Sequence, residues 1–312
     1  MLVLGEKYKF TNLELERLKK KFQNVKTVSY KNKKSDNVID EIKGILENEN
    51  FTLIVLNTKA KVNDELIKYL TNLKFELNNK KFEIISIEHF LEKYLHKCYI
   101  PEDHTDLHYL DDIKPFSHFQ NFQKKIVDIV AIFFLFLAFI PFRFIVKKKI
   151  DEESPGSLYF KQLRVGLNNE EFECIKFRSM VEDAEKNGIA FAKKGDSRIF
   201  PFGEIMRKTR IDELPQVFNI IKGEMSLIGP RPERKYWIEK DFEKNIPYYN
   251  QRHIVKPGIT GWAQVMYPYG ENIEDAKQKL MYDLYYIKYW NIGLELRVIW
   301  KTILVILHKK GI

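Results

Sequence analysis

The sequence predicts a mixed α/β protein in two parts: a small parallel α/β sheet first, then a helix-rich α+β part that meets a membrane. Three observations predict this. Short β-rich runs alternate with Lys-rich helical periods over residues 1–90, a run of 14 apolar residues stands at Ile129–Phe142, and almost all the net positive charge lies beyond residue 120. The 312 residues carry 52 Lys and Arg against 43 Asp and Glu, a net charge of +9. Residues 1–120 hold 20 basic and 19 acidic side chains, whereas residues 121–312 hold 32 and 24. The anion this protein meets is therefore expected in the second part. At 30% charged and 45% hydrophobic residues, the chain is neither wholly disordered nor a polytopic membrane bundle.

Leu2–Leu4, Val25–Tyr30, Thr52–Leu56 and Phe82–Ile87 read as strands, with helical periods such as Asn12–Phe22 and Val38–Leu46 between them. A dinucleotide site would want GxGxxG after the first strand. Only Gly5 is available there, so none is expected. Leu91 to about Gln123 is a mixed connector carrying His96, Cys98, Asp103, His104, Asp106 and His108. Such a set can ligate metal but more often decorates a linker surface. Cys98 and Cys174 stand outside any CxxC pattern, which points to a reducing compartment. MLVLGEKYKF has too short an apolar stretch for a signal peptide, so a cytoplasmic-facing protein is expected.

As a helix, Ile129–Phe142 covers about 21 Å, against roughly 30 Å of bilayer hydrocarbon. Lys124 and Lys125 precede it, and Arg143, Lys147, Lys148 and Lys149 follow, so positive charge flanks both ends. Pro141 removes a helix hydrogen bond near the end of the run. The expected picture is a re-entrant helix that breaks at Ile140-Pro141 and returns to the same face. A spanning helix and a buried core helix are the alternatives. Leu294–Lys310 mixes aliphatics, Trp300 and cations in a way that suits an interfacial helix or an ordinary amphipathic one.

Tyr159–Val165 and Glu171–Phe177 read as two strands joined at Leu167-Asn168-Asn169, because Asn tolerates the left-handed conformation. The densest cationic set of the chain follows: Lys176, Arg178, Arg207, Lys208, Arg210, Arg231 and Arg234, around the adjacent acids Asp212 and Glu213. Asp212 also reads as a helix start, with Pro215 in the first turn and Gly223 as stop, and acids there can serve the helix dipole alone. Gly229-Pro230-Arg231-Pro232 fixes one guanidinium between two prolines, a geometry suited to bidentate phosphate binding. Neighbouring helix residues project about 100° apart, so a catalytic pair would divide its labour. One carboxylate would attack, and the other would hold Mg²⁺, which suits oxygen ligands and phosphate.

The motifs KQLRVG (161–166), IKFRSM (175–180), RKTRIDELPQ (207–216), GEMSLIGPRPE (223–233), RHIVKPGITGWAQV (252–265) and YDLYYIKYW (282–290) resemble those of the bacterial sugar transferase family. These are monotopic polyprenyl-phosphate phosphoglycosyl transferases, and the resemblance covers about 120–312. Residues 1–115 resemble loosely a Rossmann-like N-terminal domain of larger members, mainly through IEHFLEKYL (87–95). The resemblance implies domains at 1–115, 116–150 (connector end and re-entrant helix) and 151–312 (catalytic, with C-terminal interfacial helices). It implies transfer of a sugar 1-phosphate from a UDP-sugar to undecaprenyl phosphate at the cytoplasmic face of the inner membrane, with release of UMP. Asp212 is then the nucleophile and Glu213 a Mg²⁺ ligand, with Lys176, Arg207 and Arg231 as phosphate contacts; Arg178, of the same cationic set, is a further phosphate-binding candidate. The membrane break falls on Ile140 and Pro141, although many members have Ser where this chain has Ile140. GWAQVMYPYGENIEDA replaces the common GWAQVNGR and resembles an exopolysaccharide-associated branch.

The rival reading is a non-enzymatic membrane-surface scaffold with a basic patch, Asp212 and Glu213 serving as a cap. Nucleic acid is not an expected partner, since no reading module is present. The residues leave a homo-oligomer open.

Overall fold

The computed structural model describes residues 1–30, 35–58, 62–77, 82–102, 111–186, 195–267, 270 and 272–307. The connector residues Asp103, His104, Asp106 and His108 and the last residues, 308–310, of the expected interfacial helix lie outside them. The chain divides into two compact units, Met1–Tyr99 and Ile100–Ile312.

In the first unit, strands β1 (Leu2–Leu4), β2 (Lys26–Val28), β3 (Leu53–Leu56) and β4 (Glu83–Ser86) alternate with helices α1 (Asn12–Lys21), α2 (Ser35–Asn48) and α3 (Asp64–Glu76). All pairings are parallel, in the order β2-β1-β3-β4. A parallel α/β sheet is therefore present, with β1 between β2 and β3. Leu2, Leu4, Val28 and Ile54 bury against Val38, Ile42, Leu66 and Leu70. Short helix α4 (Ile87–Phe90) and one π-helical turn, Leu91–Leu95, follow β4. Lys97 is fully buried there, pairing with Glu14 of α1 and donating 2.6 Å to Tyr8 Oη. That pairing ties the end of the unit back to its first helix.

The second unit is organised on one long helix, α5 (His118–Glu153), opened by a capping box between Ser117 and Gln120. Antiparallel strands β5 (Tyr159–Val165) and β6 (Glu171–Phe177) pair as read, with Asn168 at φ 53° and Asn169 at φ 63° in the connection. After α6 (Pro201–Thr209) come a 3₁₀ turn, Ile211–Gln216, and α7 (Val217–Ile221). Strand β7 (Ser226–Ile228) pairs parallel with β8 (Gly258–Thr260). Turns α8 (Lys235–Trp237) and α9 (Glu243–Asn245) lie between them, and α10 (Trp262–Met266), α11 (Ile273–Lys288) and α12 (Ile292–Leu307) close the chain.

Helix α5 has two faces. Ala131, Phe139, Val146 and Ile150 are buried, and Phe139 stacks on Phe177 with ring centroids 5.7 Å apart. Phe119, Phe122, Ile126, Ile129, Phe133, Leu137, Ile140 and Phe144 form an exposed stripe at three- and four-residue spacing. The expected break at Ile140-Pro141 does not divide the helix, which runs through Pro141 as one element. Packing explains this: Phe139 before the proline and Val146 after it belong to one core cluster with Phe177, Phe200 and Met206. That packing offsets the lost hydrogen bond. In α12, Leu296, Trp300, Ile303 and Leu307 are exposed while Leu294, Glu295 and Val298 are buried.

A buried polar knot joins the two helices. Lys124 Nζ donates to Glu295 Oε1 (2.9 Å), Tyr286 Oη (2.8 Å) and Ile228 O (2.9 Å), and Trp290 Nε1 also donates to Glu295. Truncating one partner strands the other charge away from water. Glu295→Ala is expected to cost about 3–5 kcal/mol, read as a lowered unfolding midpoint in detergent, whereas Lys124→Met with Glu295→Leu recovers most of the loss. An unchanged midpoint in the single variant contradicts this.

Candidate active site

Helix α6 ends at Arg210, which adopts a left-handed conformation (φ 58°), an uncommon choice for a residue with a Cβ. The chain reverses there and enters the 3₁₀ turn. The expected α-helical start at Asp212 is thus corrected: the first turn is 3₁₀, and α-helix begins only at Val217. Successive 3₁₀ residues project about 120° apart, which separates the two carboxylates. Both acids are buried, at 7% and 6% exposure.

Their environments differ sharply. Glu213 Oε1 accepts from Lys176 Nζ (2.9 Å) and Arg231 Nη1 (3.2 Å), and Oε2 accepts from Arg210 Nη1 (3.3 Å). Among the described residues, no hydrogen bond reaches the Asp212 carboxylate, although Lys176, Arg207 and Arg231 act on it electrostatically. Burial, reinforced by the Glu213 charge, raises the Asp212 carboxyl to about 6 against those three cations. Burial acts upward on Glu213 too, but Lys176, Arg231 and Arg210 outweigh it and hold that carboxyl far below the usual range.

The supports come from distant parts of the chain. Asn219, fully buried on α7, accepts from Ile175 N (3.0 Å) and donates to Glu173 O (2.7 Å), tying the acidic turn to the strand that carries Lys176. The Gly-Pro-Arg-Pro turn crosses the Pro257-Gly258 backbone so closely that a Cβ at Gly229 would lie 2.3 Å from Lys256 O. Arg252 Nη2 donates to Arg231 O (2.9 Å), and Arg252 is itself held by Asp283 (3.1 and 2.8 Å) and Tyr249 Oη (2.8 Å). Arg252 and Asp283 lie within motifs noted in the sequence, but their pairing joins residues 31 apart and gives no local signal.

Of the predicted site residues, Asp212, Glu213, Lys176 and Arg231 come together, and Arg207 stands near Asp212. Arg178 does not join them. Its guanidinium donates to Ser157 O (2.7 Å), Ser154 Oγ (2.8 Å) and Met180 O (3.2 Å), closing the C-terminal end of α5. Arg210 takes the place sequence reasoning gave it no role for. Lys208 pairs with Glu204 on the surface, and Arg234 makes a bidentate pair with Glu185 (2.9 and 2.7 Å).

One carboxylate is thus clamped by three cations, and its neighbour accepts no hydrogen bond among the described residues. The bacterial sugar transferase model matches residues 119–309, which include every residue of this site. The chain belongs to this family. A UDP-N-acetylgalactosamine-undecaprenyl-phosphate N-acetylgalactosaminephosphotransferase of Aeromonas hydrophila is 43% identical over 209 residues, 67% of this chain and 49% of that relative. A UDP-glucose:undecaprenyl-phosphate glucose-1-phosphate transferase of Xanthomonas campestris pv. campestris is 42% identical over 191 residues, 60% of this chain and 38% of that protein. The chain thus spans about half or less of the length of these two sugar transferases. An exopolysaccharide production protein, PSS, of Rhizobium leguminosarum bv. phaseoli is 37% identical over 58% of this chain and 92% of its own length.

The raised Asp212 has a consequence for stability. Its folded value of about 6 lies above its ordinary 3.8, so its contribution is fully present below about pH 4 and is lost as pH rises through 6. Asp212→Asn is therefore expected to raise the unfolding midpoint at pH 7.5 and to shrink the fall in stability between pH 4 and 6. Asp283, also raised to about 6 by burial, retains its own part of that fall. Midpoints followed across pH check this, and a lower midpoint for the variant at pH 7.5 contradicts it.

Proposed function

We propose that this sugar transferase moves a sugar 1-phosphate from a UDP-sugar to undecaprenyl phosphate, releasing UMP, through a phospho-sugar adduct on Asp212. The observation that carries the reading is the asymmetry of the carboxylate pair. Glu213 is paired with three cations, whereas Asp212 keeps an uncommitted carboxylate beside Lys176, Arg207 and Arg231. The names of the Aeromonas and Xanthomonas relatives support a UDP-sugar donor and an undecaprenyl phosphate acceptor.

An Asp212 oxygen forms a bond to the sugar-bearing phosphorus as the bond from that phosphorus to the bridging oxygen breaks. The electron pair departs on UMP. An oxygen of undecaprenyl phosphate then attacks the same phosphorus, and the Asp212–phosphorus bond breaks with its pair returning to the carboxylate. Lys176 and Arg231 are placed to relieve the repulsion between an attacking carboxylate and an anionic diphosphate.

The donor set fits Mg²⁺. A carboxylate offers about four lone-pair sites, and three cations occupy Glu213, which leaves one on Oε2. Among the described residues no cluster of three metal-ligating side chains exists, so diphosphate oxygens and water would complete the shell. The ion, when bound, supplies charge neutralisation at the diphosphate.

Membrane attachment from a single face, the cytoplasmic side of the inner membrane, goes with this reading. Lys124 before the apolar run ties to β7 and α12, and Ser154 after it ties to Arg178, all within one compact unit. The exposed stripe of α5 and the outer face of α12 then contact lipid from that side. An exopolysaccharide or other surface glycan is the assembly served.

The test is turnover. Detergent-purified protein given Mg²⁺, undecaprenyl phosphate and a panel of UDP-sugars is expected to release UMP with at least one donor. Asp212→Asn is expected to lower that rate on the order of a thousandfold or more while remaining folded. Normal rates in Asp212→Asn contradict the reading.

A further inference from the structure

One carboxylate of the long helix lies outside the active site. Asp128 stands on α5 immediately before the apolar run and is half-buried. Its Oδ1 accepts from Leu227 N, the middle amide of β7, at 2.7 Å. The amides of Ser226 and Gly229 donate instead to Pro257 O and Thr260 O, 2.9 Å each, on the side of β8. Strand β7 is therefore held by a neighbouring strand and, between those bonds, by a helix side chain. One turn away in each direction the same face of α5 adds a contact: Lys124 Nζ donates to Ile228 O (2.9 Å), and Ile132 packs with Leu227 against the cluster of Phe172, Cys174, Ile220 and Met225.

The residues that follow carry this anchorage to the site. Ile228, Gly229 and Pro230, all buried, separate the amide held by Asp128 from Arg231. Gly229 has no room for a Cβ where its backbone crosses Lys256 O, and the prolines at 230 and 232 fix φ on both sides of the arginine. Such a link has little slack, so a shift of β7 moves the guanidinium that donates to Glu213 Oε1 at 3.2 Å.

We propose that Asp128 is a positioning residue for Arg231: it fixes β7, and with it the Pro-Arg-Pro turn, at one place along the helix that carries the exposed apolar stripe. It touches no substrate, and it acts through where Arg231 stands beside the acids. The proposal rests on the reading of Arg231 as a phosphate contact.

The test is a double-mutant cycle in turnover, read as UMP release by the full chain in detergent. Arg231→Ala is expected to lower kcat/KM for the UDP-sugar on the order of a hundredfold. Asp128→Leu, which cannot accept from the Leu227 amide, is expected to lower it by about tenfold through kcat, with Asp128→Ala in its place should the leucine variant not fold. Asp128→Asn, whose side-chain oxygen accepts the same bond, is expected to keep most of the rate. Combined with Arg231→Ala, loss of Asp128 is expected to add nothing, since a guanidinium that is absent cannot be misplaced. A merely structural role multiplies the two losses, and that result overturns the proposal. So do wild-type kcat in Asp128→Leu, an Asp128→Asn enzyme as impaired as Asp128→Leu, and unfolding of both the leucine and alanine variants. Arg231→Ala at the wild-type rate, or a wild-type protein that releases no UMP from any donor, overturns the underlying reading as well, which separates the two failures.

Discussion

Two carboxylates on consecutive buried residues repel each other unless cations reach at least one of them, and here three cations converge on Glu213 alone. The rest of the catalytic unit follows from that constraint. Satisfying Glu213 fixes a permanent anion beside Asp212, and burial does the remainder, so Asp212 holds its proton more tightly than an ordinary carboxyl. Under the proposed reaction, a carboxylate that is costly to keep charged in this site is relieved of that cost when it bonds to the electrophilic phosphorus.

Holding that balance requires groups that never touch the acids. Arg252 grips the carbonyl of Arg231, so the guanidinium that reaches Glu213 is set from its own backbone. Asn219 joins the acidic turn to β6 next to Lys176, doing with one amide what another strand would do with a ladder. Gly229 is required because no side chain fits where two backbones cross. The knot of Lys124, Tyr286, Trp290 and Glu295 then fastens the two helices with exposed apolar faces to the same unit. The exposed apolar surface and the charged site are thereby parts of one compact unit.

Local chemistry made some elements readable and not others. The hairpin of β5 and β6 follows from period-two alternation around Asn168 and Asn169, whose positive φ values need a residue tolerant of that region. The apolar run was legible because composition alone distinguishes it, and the candidate acids because cations crowd their sequence neighbourhood. The 3₁₀ start was not, since it depends on Arg210 turning left-handed at the end of α6. Arg178 looked like a phosphate ligand by proximity in sequence, yet it stands just past the end of β6 and its guanidinium is held at the end of α5. Pro141 was expected to break its helix because the proline is local information, whereas the packing that holds both flanks is not. Arg252 with Asp283 is a long-range pair and leaves no mark on either neighbourhood.

The central claim, that Asp212 carries the transferred group, is tested most directly by trapping. The protein is incubated with its UDP-sugar and no acceptor, quenched in acid and digested, and its peptides are weighed. The account predicts a sugar phosphate mass on the peptide containing Asp212, discharged when undecaprenyl phosphate is added before the quench. The same mass on a different peptide, or acceptor-dependent UMP release with no adduct at any residue, would contradict it.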